Sequence, residues 1–521
     1  MASTQPNIVF ILTDQERFPR HMDHVDLGKI LPNRARLYKA GVNYENFYIN
    51  AAPCTPNRSV IFTGLYTQQT WMVGNAEMKQ PDLKTAFPTF GTALKELGYS
   101  TNYFGKWHLS TAPSGEDALA AYGFEHFPLA EEFHGEANEG SECDSKIADA
   151  AVKFLAQKQD KPFLAVVCLV NPHDIMYYPR QMEPHLPGET YAGLTVPANF
   201  ETVHDLMKNK PDCQAQYKRL YELLMGNMPN DVDTEHGKKA YITYLDYYLW
   251  LQAKVDVEIG KVLDALLGSE NKENTIVIFT ADHGDQIGSH GMSGKQCCVY
   301  EETINVPFCV VDYTQKFIPS NQAGTKRTNF GSSVDIFPTI MSLAMGVDAV
   351  KPASYSYLSG IDLLPNIINS SKPTRDEVLF TYDFNIPGVV PGPDHIRCYI
   401  DKEWKGAVYN HWGMDNGLQA QPSVEEGAVD IRKGLSQREL YKRTTPSDKL
   451  ELHNLANDKA YDAQMSKIEA HLDEVMHTKL RAPLPTAMQA ASDEAKAEYV
   501  ALQEYSLSTD FVQSKMKHFL G

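Results

Sequence analysis

Four short runs limit what this chain can fold into: residues 8–12 (IVFIL), 99–104 (YSTNYF), 163–170 (FLAVVCLV) and 275–279 (TIVIF). Three of them are continuous apolar stretches rich in β-branched residues, the pattern of strands covered on both faces. Helical stretches separate them. Residues 32–40 end at Gly41, residues 88–97 place Phe90, Ala93, Leu94 and Leu97 on one face before Gly98, and a long stretch from about 239 to 267 stops at Gly268. Residues 42–49 read as a further extended segment. Strands alternating with helices predict an α/β fold, a mostly parallel sheet sandwiched by helices.

In open sheets of that kind, ligands gather beyond the carboxyl ends of the strands. Each run here releases polar, titratable residues at that end. In order they are Thr13-Asp14-Gln15, Lys106-Trp107-His108, Pro172-His173-Asp174 and Asp282-His283-Gly284-Asp285, with Lys295 twelve residues past His283. Any one of these reads as an ordinary loop. Four in succession predict one shared site.

A fifth piece is residues 53–64, PCTPNRSVIFTG. Pro56 has no N–H to lose in a first helical turn, and residues 59–62 continue that turn until Gly64 stops it. Cys54 is thereby set at the mouth of a helix, where unpaired N–H groups and the positive end of the dipole favour an anion. Arg58, one turn on, returns to the same side and is expected to fork two oxygens of a tetrahedral oxyanion. A lone Cys beside Pro and Arg is in other settings a buried thiol next to a turn, so this reading leans on the rest of the chain.

At 521 residues the chain exceeds what one core fills, which predicts one large and one smaller domain. With 48 basic and 66 acidic residues the net charge is −18, which argues against nucleic acid or an anionic membrane as partner. Any positive site for an anionic ligand must then be local. The eight cysteines form no CxxC and no regular spacing, so neither a zinc module nor a disulfide framework is expected, and Cys297 and Cys298 read as reduced packing residues. No apolar run reaches membrane-spanning length. The opening MASTQPNIVFIL has neither a basic n-region nor a small-residue cleavage site, so a cytoplasmic location is expected, the alternative being a periplasmic or secreted form whose leader has been removed. Beyond about residue 375 the texture changes: residues 378–382, 396–400 and 404–409 read as antiparallel strands, and 461–476 and 490–503 as amphipathic helices. The expected division is a catalytic α/β domain over residues 1–374 and a smaller α+β domain over 375–521, whose helices offer a surface for a homo-oligomer.

In their order, these motifs resemble the type I sulfatases of the alkaline-phosphatase superfamily. The pattern C-x-P-x-R is complete as Cys54, Pro56 and Arg58, and NIVFILTD, GKWHL, NPHD, TADHGD with SHGMSGK, and LELHNLANDKAYD are similar to family landmarks across most of the chain. The chain departs from the pattern twice. Many members carry Asp-Asp after the first strand and Asp-Asn after the late one, whereas this chain has Asp14-Gln15 and Asp282-His283. That pairing resembles the branch holding choline sulfatases and phosphonate monoester hydrolases, and Asn75 in VGNAEM is similar to that branch's substrate-contacting Asn.

The resemblance implies an alkaline-phosphatase-like fold and hydrolysis of a small-molecule sulfate monoester, with Cys54 converted to formylglycine by a maturation enzyme. It implies one divalent cation held by Asp14, Asp282, His283, an oxygen of the modified residue 54 and Gln15, the last being the ligand that the departure leaves open. Such an oxygen-rich set suits Ca2+, with Mn2+ or Mg2+ as alternatives. It further implies Cys54, once hydrated, as nucleophile, and Arg58, Lys106 and Lys295 as the charges facing the sulfuryl oxygens. His173 becomes the general acid, its imidazole titrating near working pH, His108 assists sulfate release, and Asn75 binds substrate. The rival reading is phosphonate monoester or phosphodiester hydrolysis on the same fold, and keeping both Lys106 and His108 in GKWH favours sulfate. A non-catalytic binding homologue would leave Cys54 a thiol. His21, His24 and His134 have no motif support and are expected at the surface, and His290 in SHG in a turn or supporting role.

Overall fold

Seven strands form the main sheet: β1 (Asn7–Asp14), β2 (Val42–Tyr48), β3 (Ser100–Gly105), β4 (Phe163–Pro172), β5 (Thr275–Ala281), β6 (Phe308–Asp312) and β7 (Lys326–Ser332), in the order β3-β4-β1-β5-β6-β2-β7. They come from a computed structural model that describes residues 5–20, 22, 25–75, 80–111, 113–129, 133–180, 191–346, 352–384, 393, 395–410 and 437–506. The four runs read from the sequence are four contiguous neighbours, β3, β4, β1 and β5, all parallel. Their registers pair Gly105 with Cys168, Asp14 with Pro172 and Thr13 with Ala281, so their carboxyl ends form one rim. Beyond β5 the sheet is mixed. Strand β6 runs antiparallel to both β5 and β2, and β2 pairs parallel with β7.

Every residue of β1, β4 and β5 is buried, as doubly covered strands require. Val9 and Ile11 face one apolar cluster with Leu37, Ile147, Ala151, Ile259 and Leu263, from the helices Pro32–Ala40, Glu139–Leu155 and Glu235–Leu267. Ile8, Phe10 and Leu12 face another with Phe62, Phe90, Leu94 and Ile340, from the helices Cys54–Thr63, Phe90–Glu96 and Ile336–Met345. Each such Val, Ile, Leu or Phe contributes about 1.5–3 kcal/mol of burial, which makes this rim a rigid support.

A second, antiparallel sheet contains β8 (Val378–Tyr382), β9 (His395–Ile400), β10 (Trp404–Asn410) and β11 (Gln437–Lys442), in the order β11-β10-β9-β8. The helix Asp462–Val475 places Met465, Ile468 and Leu472 in one apolar cluster with Leu379 and Leu440 of this sheet. A parallel bridge from Thr381 to Ala51 ties the sheet to the chain just before Cys54. Among the described residues, no helix is long and apolar enough to cross a membrane.

Candidate active site

The helix Cys54–Thr63 is buried along its whole length. Phe62 stacks on Phe90 at 4.9 Å between ring centroids and leans on Trp107 at 5.4 Å. Gly64 ends the helix with φ 64°, and a Cβ there would come within 2.7 Å of Leu358, so both backbone and space demand glycine. Asn57 pins the other end: its Nδ2 donates to the carbonyl of Asp282 at 2.5 Å, and its Oδ1 accepts the N–H of Asn50 at 3.1 Å. Pro53 at the N-cap has no side chain that caps the helix, and the N–H of Thr55 donates instead to Asn75 Oδ1 at 3.3 Å. Asn75 therefore stands at the mouth of the helix, beside Cys54.

The strand ends close around that mouth. Cys54 Sγ lies 3.0 Å from Lys295 Nζ, 3.2 Å from His283 Nε2 and 3.8 Å from Asp14 Oδ1. His283 Nε2 is 3.5 Å from one carboxylate oxygen of Asp14 and 3.5 Å from one of Asp282. The ligand atoms of Asp14, Cys54, Asp282 and His283 all fall within 4.8 Å of one another, and all four residues are buried. Two carboxylates so close in a low dielectric repel unless positive charge lies between them. His283 Nδ1 sits 2.9 Å from the carbonyl of Gly284. A carbonyl only accepts, so Nδ1 carries the proton and Nε2 turns its lone pair into the cluster. Gln15 adds its Oε1, which accepts from Lys295 Nζ at 2.7 Å. Carboxylate oxygens, an amide oxygen and one imidazole make a donor set that fits a divalent cation.

Asp14 Oδ2 pairs with Lys106 Nζ at 2.7 Å. Burial alone would raise the Asp14 pKa, yet Lys106, His173, Lys295 and His283 together hold it well below the ordinary carboxylate range. Burial works most strongly against the Lys106 ammonium, but Asp14 together with Cys54 and Asp282 more than offsets it and keeps that lysine charged. Burial also lowers the His283 pKa, in keeping with a neutral imidazole.

Two expectations need correction. Arg58 does not present its fork to an oxyanion: Nη1 pairs with Asp282 Oδ2 at 3.1 Å, Nε donates to the Trp107 carbonyl at 3.1 Å, and Nη2 donates to the Lys106 carbonyl and, at 3.4 Å, to the Tyr103 hydroxyl. Its spacing from Cys54 puts it on the right face, but acceptors from β3 and β5 draw it inward. The surroundings of His173 also disfavour a charged imidazole. Burial pushes its pKa well down, Lys106, Lys295 and His283 add to the effect, and only Asp14 opposes it.

His173 is buried, and its Nδ1 has no hydrogen-bond partner among the described residues. The segment before the helix Glu139–Leu155 passes directly over it. A Cβ on Gly135, at φ 94°, would lie 2.7 Å from His173 Cε1 and 3.0 Å from Lys106 Nζ. His108 is buried at φ 58°, its carbonyl accepting from Thr55 Oγ1 at 2.7 Å.

The structure thus brings Asp14, Gln15, Cys54, Asn75, Lys106, His108, His173, Asp282, His283 and Lys295 to one rim. Sequence reasoning missed His134, half-buried with its ring 6.3 Å from that of His108, because no motif surrounds it. It also gave no role to Asp285, the last residue of TADHGD. His290 lies outside the cluster: it is held by Glu201 at 2.5 Å and Asn199 at 3.1 Å and stacks on Tyr300. His21 and His24 lie outside the described residues. All eight cysteines, Cys297 and Cys298 included, are buried and take part in no disulfide.

The sulfatase family model matches residues 6–347. The uncharacterized sulfatase YidJ of Escherichia coli is 28% identical over 517 residues, covering 92% of this chain and 88% of that protein. A Delta 4,5-hexuronate-2-O-sulfatase of Bacteroides thetaiotaomicron is 28% identical over 461 residues, covering 83% and 81%. Among solved structures, a phosphonate monoester hydrolase of Silicibacter pomeroyi superposes with a TM-score of 0.67 at 19% identity, covering 92% of this chain and 96% of the other, a likeness of fold alone. Because the match runs from before Asp14 to beyond Lys295 and takes in every strand end that meets at Cys54, the chain belongs to the sulfatase family and is a sulfuric ester hydrolase.

Proposed function

We propose that the chain hydrolyses sulfate monoesters to an alcohol and inorganic sulfate through a formylglycine made from Cys54, with one divalent cation beside it. The observation that carries this reading is the convergence on Cys54 Sγ of Asp14, His283 and Lys295, with Asp282 alongside. A thiolate is a poor partner for a hard cation, whereas an aldehyde hydrate offers two oxygens. Since Cys54 and its whole helix are buried, the maturation enzyme would act on the chain before it folds.

Asp14, Gln15, Asp282 and His283 would hold the cation, Ca2+ by ligand type with Mn2+ or Mg2+ as alternatives, and when bound it supplies Lewis-acid charge to the sulfuryl oxygens. The chain's own cations do the same from two sides. Lys106 and Lys295 offset charge that grows on those oxygens in the transition state. Arg58 acts behind them, holding Asp282 and the Lys106-Trp107 backbone in place. One hydroxyl of the hydrate gives its proton to the Asp282 carboxylate in the same cluster and attacks sulfur, while the bond from sulfur to the alcohol oxygen breaks and that oxygen leaves with a proton from His173. Burial, with Lys106, Lys295 and His283 nearby, favours the neutral imidazole against the opposing pull of Asp14, and an anionic ester beside it favours the protonated form. The second hydroxyl of residue 54 then gives its proton to His108, the carbon–oxygen bond to sulfate breaks, and the aldehyde re-forms. Asn75 contacts the ester at the helix mouth.

Protein made together with a formylglycine-generating enzyme tests the reading. The Cys54 peptide is expected to show the mass of the aldehyde, and nitrophenyl sulfate to turn over faster than a phenyl phosphonate ester. Dominant phosphonate turnover would transfer the chemistry to the rival reading, and a plain thiol without turnover would leave a binding protein.

Lys295→Ala is expected to lower kcat about 100-fold while KM changes far less, because a charge facing the sulfuryl oxygens matters most in the transition state. Steady-state kinetics on nitrophenyl sulfate measure it. An unchanged kcat would remove Lys295 from the machinery.

A further inference from the structure

The cation reading leaves Gln15 with an unanswered question, since an amide can face a metal with either end and only the oxygen ligates. We propose that Asp285 is the positioning residue that fixes the Gln15 amide with its oxygen toward the cation, and the loop of Lys295 with it. The inference rests on the reading that the site holds a divalent cation.

The backbone of Gln15 has little freedom. It sits at φ 68° just past Asp14, and its N–H donates to Asp282 Oδ1 at 3.1 Å. The side chain has two orientations, and two partners decide between them. Asp285 Oδ2 lies 2.5 Å from Nε2, and Lys295 Nζ lies 2.7 Å from Oε1. A carboxylate only accepts and an ammonium only donates, so the orientation follows from chemistry rather than from the near-identical shapes of the two ends. The other Asp285 oxygen accepts the N–H of Ile287 at 2.8 Å and of Gly294 at 3.3 Å, which closes the loop immediately before Lys295. One buried carboxylate therefore holds both the amide and the lysine.

The same contact accounts for the departure at position 15. A carboxylate there would stand at hydrogen-bond distance from the Asp285 carboxylate, inside a buried site, and the two would repel. An amide gives the cation an oxygen and gives Asp285 a donor.

The test uses the full chain, titrated with manganese(II) and separately with calcium in a calorimeter, without substrate. Asp285→Asn places an NH2 group against Gln15 Nε2, and turning that amide to relieve the clash points its nitrogen at the cation. The expected result is at least about tenfold weaker binding, the size of a lost supporting hydrogen bond behind a metal ligand. In the double variant Gln15→Glu with Asp285→Asn, the new carboxylate accepts from the new amide and still offers an oxygen, so affinity is expected to return to within about threefold of the parent. The double variant carries the same change at 285, so its recovery separates amide orientation from loss of fold. Unchanged affinity in Asp285→Asn, or a double variant as weak as the single, would overturn the role of Asp285 and leave the cation reading standing. A parent chain that binds neither ion would overturn both.

Discussion

Cys54→Ala is expected to lower kcat on nitrophenyl sulfate by about 10^4-fold or more, the scale on which enzymes lose rate when a nucleophile is deleted. The atom removed is the one on which Lys295, His283 and Asp14 converge at 3.0, 3.2 and 3.8 Å. Lys106 and Lys295 remain, and so does the ion pair between Lys106 and Asp14. Ground-state attraction for a sulfate group therefore survives, and the dissociation constant for inorganic sulfate, read by calorimetry, is expected to change less than about tenfold. The combination separates a nucleophile from a binding residue. A rate within tenfold of the parent would mean that the chemistry occurs without residue 54, and the formylglycine reading would fall with it.

The parts of this site that were legible in the sequence are those written on doubly buried strands. Runs such as FLAVVCLV and TIVIF leave no alternation because both faces are covered, and the residues that follow them must emerge at the same rim. Strand β7, KRTNFGS, lies at the sheet edge with Lys326 exposed, and strand β6 is only five residues long; neither pattern stands out from a loop. Three features of the site depend on partners far away in the chain. The orientation of Arg58 is set by Asp282 and the Lys106 and Trp107 carbonyls, the proton affinity of His173 by its burial and by Asp14, Lys106 and Lys295, and the amide of Gln15 by Asp285, 270 residues on. Spacing along one helix says which face a residue is on, but not which acceptors wait there.

Arg58→Ala is expected to reduce stability by about 3–5 kcal/mol, the cost of leaving a buried charge without its partner. Asp282 would lose a cation 3.1 Å away, the Lys106 and Trp107 carbonyls would lose their donors, and a cavity would open beside Tyr103. Arg58→Lys keeps the charge, but a single ammonium cannot serve acceptors spread around a planar fork, so a loss of about 1–3 kcal/mol is expected from the unpaired carbonyls. The urea midpoint of each variant, followed by tryptophan fluorescence, measures the change. Rates add the decisive comparison, each corrected for the formylglycine content of that variant, since the proposed conversion of Cys54 could itself depend on residue 58. If the guanidinium touched the oxyanion, the lysine variant would lose turnover at nearly parental stability. Because it instead holds Asp282 and the Lys106 backbone, midpoint and kcat are expected to fall together in both variants, the alanine form further on each axis.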